Sequence, residues 1–194
     1  MLMRIWLPIL LLFAVSCGAD RKSQLASGGG PAGCPAGVSW QYPYAPQLNA
    51  NVLNFSRQHV GQSVSNGECG ELPNVALRSF NAKSFDRTGG PTDANGDYVW
   101  GQLVSEVVPG RIPLGVLPGD VIQFRGAHFQ WTVGNTTWTS QADHHTAVVE
   151  SISADRMHLC VLQQNSGGNR TVQYGYYYLG GLTAGLMHYY RPTF

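Results

Sequence analysis

From Gly96 to Pro192 the chain is written in short apolar and aromatic runs, each closed by a glycine or a polar break. "GDYVWGQLV", "LPGDVIQFRGAHFQW", "HHTAVVESIS", "RMHLCVLQQN", "TVQYGYYYLGG" and "GLMHYYRP" follow in order. Runs this short, rich in β-branched and aromatic residues and punctuated by Asn95-Gly96 and Pro118-Gly119-Asp120, read as strands. Two helical stretches come first. "NANVLNFSRQHVGQSV" is apolar at Val52, Leu53, Phe55 and Val60 and stops at Gly61. "GECGELPNVALRSF" repeats Leu72, Val75, Ala76 and Phe80 at three- and four-residue spacing. Pro73 is tolerated there only in the first turn, where its missing N–H has no partner to lose, so this helix begins close to Cys69. Helices early and a strand meander late predict an α+β domain with N-terminal helices packed on an antiparallel sheet.

A length of 194 residues suits one domain with a real core. Twelve Lys plus Arg against eleven Asp plus Glu leave a net charge of +1, which argues against nucleic acid or an anionic membrane surface as partner. The opening "MLMRIWLPILLLFAVSC" has one early positive charge, Arg4, an apolar run to Val15 and a small-residue end. Residues 1–17 therefore read as a signal peptide, too short to span a membrane comfortably. Ala14-Val15-Ser16-Cys17 resembles a bacterial lipoprotein processing site. That likeness implies lipidation of Cys17 and membrane attachment at the cell envelope; plain cleavage would leave a secreted protein. Residues 18–38, "GADRKSQLASGGGPAGCPAGV", read as a flexible tether, and 39–194 as the folded domain.

Four cysteines are present: Cys17, Cys34, Cys69 and Cys160. Exported proteins usually pair their thiols. A Cys34–Cys160 bond would spare Cys69, although spacing does not establish the pairing.

At a helix start Cys69 would meet the positive end of the dipole and free backbone N–H groups, which lower a thiol's pKa and can hold an oxyanion. Of the six histidines, only His144 and His145 stand directly before an apolar strand, "TAVVESI", and alternation sends their rings to opposite faces. The next strand ends in Gln163-Gln164-Asn165. Gln163 and Asn165 share a face, so either amide could orient an imidazole, while Gln164 points away. His128 with His144 or His145 could contact zinc, but no third ligand stands at a recognisable spacing, and no metal or cofactor is expected. Tyr98, Trp100, Trp131, Trp138, Tyr174, Tyr176 and Tyr178 are candidates for a groove, or simply for core and strand surface.

Taken in order, "NGECGELPNVAL", "LPGDVIQF", "HHTAVVESI" and "LCVLQQN" resemble the papain-like superfamily, in particular its CHAP amidohydrolase/peptidase domains and NlpC-type relatives. The likeness runs from about Val60 to Asn165. It implies a papain-like fold with Cys69 as nucleophile and His145 as base. Gln163 would stand where CHAP domains often carry Glu, Asn165 where they carry Asn, and Gln62 near an oxyanion-hole amide. Relatives generally carry a bulky residue after the nucleophile, where this chain has Gly70. The implied activity is an exported cysteine hydrolase cutting amide bonds in peptide or peptidoglycan-like substrates. The alternative is a catalytically idle binding or structural module on the same fold.

Overall fold

The computed structural model describes residues 33–84, 93 and 96–194. The expected signal peptide, the Cys17 site and the tether as far as residue 32 lie outside them. Two helices, α1 (Gln47–Gln58) and α2 (Glu71–Ser79), precede most of the strands. The strands are β1 (Trp40–Gln41), β2 (Gln102–Val107), β3 (Val121–Val133), β4 (Thr136–Ser153), β5 (His158–Gln163), β6 (Gln173–Tyr178) and β7 (Leu182–Arg191). A 3-10 turn, Leu179–Gly181, joins β6 to β7. The sheet runs β2-β7-β3-β4-β5-β6, with β1 added to β4, and the paired strands are antiparallel. β7, last in sequence, fills the gap between β2 and β3.

Both faces of the sheet are buried. One core cluster joins Leu48, Val52 and Leu53 of α1 and Leu72, Ala76 and Leu77 of α2 to Val121, Val148 and Leu162 of the sheet. The other draws on the strands, among them Ile122, Phe124, Phe129, Ala147, Val149, Leu159, Val161, Tyr177 and Tyr189. Residues next to each other on one strand thus serve opposite cores, which is why the central runs lack apolar-polar alternation.

The "PGD" turn locks α1 to the sheet. The buried Asp120 carboxylate accepts from Arg191 Nε at 3.0 Å and Nη2 at 2.9 Å, from Asn49 Nδ2 at 2.7 Å and from the Leu117 N–H at 2.8 Å. Burial raises the Asp120 pKa, and these donors oppose that rise. Gly119 sits at φ +82°, and a Cβ there would stand 2.1 Å from the Asn49 carbonyl oxygen, so α1 approaches only because the position is glycine.

Two elements differ from the sequence expectation. β4 starts at Thr136, eight residues before His144, because an exposed Thr-rich arm pairs with the far half of β3 across the Gly134 turn. "GDYVW" is not a regular strand; Tyr98 makes an isolated bridge and β2 begins at Gln102. Cys34, read as tether, is buried and bonded to Cys160 of β5, and Trp40 Nε1 donates to the Pro35 carbonyl at 3.2 Å. The fold therefore includes residues ahead of Val38.

Candidate active site

α2 begins at Glu71 behind an N-cap at Gly70, and Pro73 is its third residue, so the proline costs no intrahelical bond. Cys69 stands immediately before the cap and is fully buried. It is disulfide-bonded, separately from the Cys34–Cys160 pair, and no described cysteine is a free thiol. A Cβ at Gly70 would lie 3.2 Å from Tyr98 Cε2 and 3.6 Å from Trp100 Cη2, so a larger residue there would press on both rings. Those rings pack against the start of α2.

The loop ahead of Cys69 is held by the end of β5. Gln164, fully buried, accepts from the Val64 N–H at 3.1 Å and donates to the carbonyls of Val64 at 3.1 Å and Glu68 at 2.6 Å. Asn165, at φ +56°, leaves the strand and donates to Glu68 Oε2 at 2.7 Å, and Arg170 pairs with the same carboxylate at 3.0 Å. Asn165 thus grips the loop, while Gln163 is the amide beside an imidazole. Gln62 is exposed; its main chain pairs with Val172 at 2.8 Å.

His145 is fully buried, with Nε2 2.9 Å from Gln163 Oε1. The same oxygen accepts from the Tyr177 hydroxyl at 3.0 Å. An amide oxygen only accepts, so the His145 proton sits on Nε2 and Nδ1 carries the lone pair. Nδ1 is buried and has no hydrogen-bond partner among the described residues. Burial pushes the His145 pKa down to about 4, against the Gln163 bond, which raises it. The ring is a neutral base at neutral pH.

His144 turns to the other face, the one that α1 and α2 cover, so the structure places His145 and Gln163 across the sheet from the Cys69 loop instead of beside it. Its Nε2 lies 3.3 Å from the buried Asp97 carboxylate, and its ring meets Tyr98 edge-on at 5.6 Å. Burial lowers its pKa, Asp97 raises it and Arg125 lowers it. Its Nδ1 is likewise buried without a hydrogen-bond partner among the described residues. Tyr98 therefore bridges the start of α2 and His144, a connection that sequence reasoning missed along with Asp97, Gln164 and Tyr177. Only the aromatic character of Tyr98 and Trp100 had marked that region. His128 sits apart, 3.3 Å from Asp143 on the exposed arm. The three histidines have three different surroundings, and the described residues contain no group of three His, Cys, Asp or Glu that could hold a metal. The zinc alternative has no common centre.

Residues 44–194 match the family described as the AIM3/BBC1 cysteine proteinase-fold domain. The Altered inheritance of mitochondria protein 3 of Debaryomyces hansenii is 28% identical over 171 residues, covering 81% of this chain. The chain spans 18% of that protein's length. Two solved structures are similar at 74% coverage of this chain. The crystal structure of Ly7917 has 24% identity, a TM-score of 0.47 and 62% coverage of its own chain. The crystal structure of Ly7917 with the hydrolyzing product of MDP has 21% identity, a TM-score of 0.48 and 63% coverage.

Proposed function

Because the chain belongs to the AIM3/BBC1 cysteine proteinase-fold family, we propose that it is a papain-like cysteine hydrolase acting on amide bonds through Cys69, with His144 rather than the expected His145 as base. The observation that carries this reading is the face of the sheet on which each imidazole lies. His144 is on the helix-covered face, against Tyr98, whose ring reaches Gly70, whereas His145 and Gln163 lie with Phe124 and Tyr177 in the opposite core. Asp97 faces His144 Nε2 at 3.3 Å, and the buried Nδ1 has no hydrogen-bond partner among the described residues. In the reduced protein the Cys69 thiol gives its proton to that nitrogen, and sulfur attacks the carbonyl carbon. The carbonyl π electrons move to oxygen, which accepts from the Cys69 N–H, with Gln62 as the expected second donor. Collapse expels the amine, protonated by His144. Water then attacks the thioester, His144 takes its proton, and acid and thiol are released. The Asp97 carboxylate stabilises the transient imidazolium.

The disulfide at Cys69 withholds the nucleophile, so the reading requires reduction first. Reduced, folded protein treated with iodoacetamide at mildly acidic pH should alkylate Cys69 well above the rate of a simple thiol, as read by peptide mapping. His144→Asn should slow it. Alkylation at the simple-thiol rate would sink the enzyme reading.

The same disulfide favours the idle binding or structural module as a second reading, and that outcome is its signature. The expected pair, His145 and Gln163, lies in the opposite core. If His145→Asn abolishes fast alkylation and His144→Asn does not, the assignment to His144 is overturned.

For substrate we propose extracellular peptide, including peptidoglycan-like peptide, approached after export. Membrane attachment through a lipidated Cys17 is a separate proposal, and it requires that sulfur to carry the lipid and no disulfide. Release of peptide amines from purified wall material by the reduced protein, and mass spectrometry of the mature N-terminus, test the two separately.

A further inference from the structure

Gln164 looked irrelevant to the chemistry because strand alternation turns it away from Gln163. Its amide instead replaces a missing strand partner. It exchanges two hydrogen bonds with the Val64 main chain, 3.1 Å each, and ties the end of β5 to the loop before Cys69. Its third bond runs to the Glu68 carbonyl at 2.6 Å. That carbonyl also accepts the Glu71 N–H at 3.0 Å, so two donors converge on it. The Glu68 carbonyl and the Cys69 N–H belong to one planar peptide unit and point in opposite directions. Fixing the carbonyl fixes the N–H, and hydrogen bonds to the oxygen polarise the N–H into a stronger donor. Asn165 and Arg170, gripping the Glu68 side chain, brace the same residue.

We infer that Gln164 is the positioning residue of the oxyanion hole, aiming the Cys69 N–H by holding the far end of its peptide plane. The inference rests on Cys69 being the nucleophile of an acyl-transfer site. It adds a function for the middle residue of the Gln163-Gln164-Asn165 run: Gln164 acts on the oxyanion donor and Asn165 on the loop, while Gln163 serves the opposite core.

Two probes separate the roles in the reduced, full-length chain. Iodoacetamide alkylates the thiolate without forming an oxyanion. The dipeptide aldehyde acetyl-alanyl-alaninal adds the thiol across its carbonyl: a sulfur–carbon bond forms, the C=O π bond breaks, and the thiol proton ends on the oxygen held by the oxyanion donor. Gln164→Glu keeps the size and the acceptor toward Val64 but loses both donated bonds. Gln164→Leu loses all three, and circular dichroism selects the temperature at which each variant is folded. The expected result is aldehyde binding weakened by about tenfold to a hundredfold, with alkylation within about twofold of wild type. If both readouts fall together, or neither moves in Gln164→Glu, Gln164 only holds the fold and the inference is overturned. If wild-type Cys69 alkylates no faster than a simple thiol, the nucleophile reading fails and takes this inference with it.

Discussion

The side-chain amide of Gln163 occupies the space that a side chain at Gly175 would need. A Cβ at that glycine would stand 2.2 Å from Gln163 Nε2 and 2.7 Å from Cδ. The strand pairing sets Gly175 opposite Val161, two residues from Gln163, so the amide lies back over the neighbouring strand. Gly175→Ala must therefore push the amide off His145. His145 and the Tyr177 hydroxyl then lose their shared acceptor in the core. The expected outcome is a loss of about 2–4 kcal/mol in denaturant titration, with the iodoacetamide rate at Cys69 within about twofold of wild type. An unchanged stability would mean that the Gln163 amide contributes nothing to this core.

His145 makes stability depend on pH. Its folded value of about 4 lies below the ordinary 6.5, so between those values the unfolded chain binds more protons. Stability from this residue is present above about pH 6.5 and is lost as pH falls toward 4, on the order of 3 kcal/mol in all. Urea unfolding at about pH 7 and pH 4.5 should reveal it. His145→Gln should flatten the difference.

The Cys34–Cys160 bond closes a long loop, with 126 residues of separation and a Cα–Cα distance of 5.9 Å. A double Cys→Ser variant at these positions should lose about 3–5 kcal/mol, chiefly through a freer unfolded chain. Denaturant titration checks it. The alkylation rate of Cys69 should survive at temperatures where the variant is folded.

Gly119→Ala tests the "PGD" lock. The new methyl would overlap the Asn49 carbonyl and hold a left-handed residue without glycine's freedom. A loss of about 3 kcal/mol or more is expected, with α1 detaching first. Faster amide exchange in Gln47–Gln58 than in β3 would show that order.

The large features were legible because they are written locally. Pro73 located the start of α2 through the chemistry of one missing N–H, and the helix begins at Glu71. The strand runs from Val121, His144 and His158 were readable because β-branched and aromatic residues crowd them. Gln163 was named as one of two amides for the imidazole, and it is the one against His145. What stayed hidden depends on long-range closure. Gln164 reaches back 100 residues to Val64. Asp97 reaches His144 from a loop with no periodicity. The Thr-rich arm of β4 was illegible because its pairing buries almost nothing, leaving no hydrophobic pattern to read. Gly70 looked like a departure until Tyr98 and Trp100 packed against it.

The place of β7 has a consequence for how the chain is made. Until Leu182–Arg191 emerges from the ribosome, β2 has no partner in the sheet, and one long edge of β3 stands bare. Vectorial synthesis can therefore assemble the β3-β4-β5-β6 meander early, but β2 joins the sheet only when the final strand slots in between. The nascent domain carries an open, sticky edge through most of its translation, a window in which a holding chaperone would matter more than for a fold that adds strands at its rim.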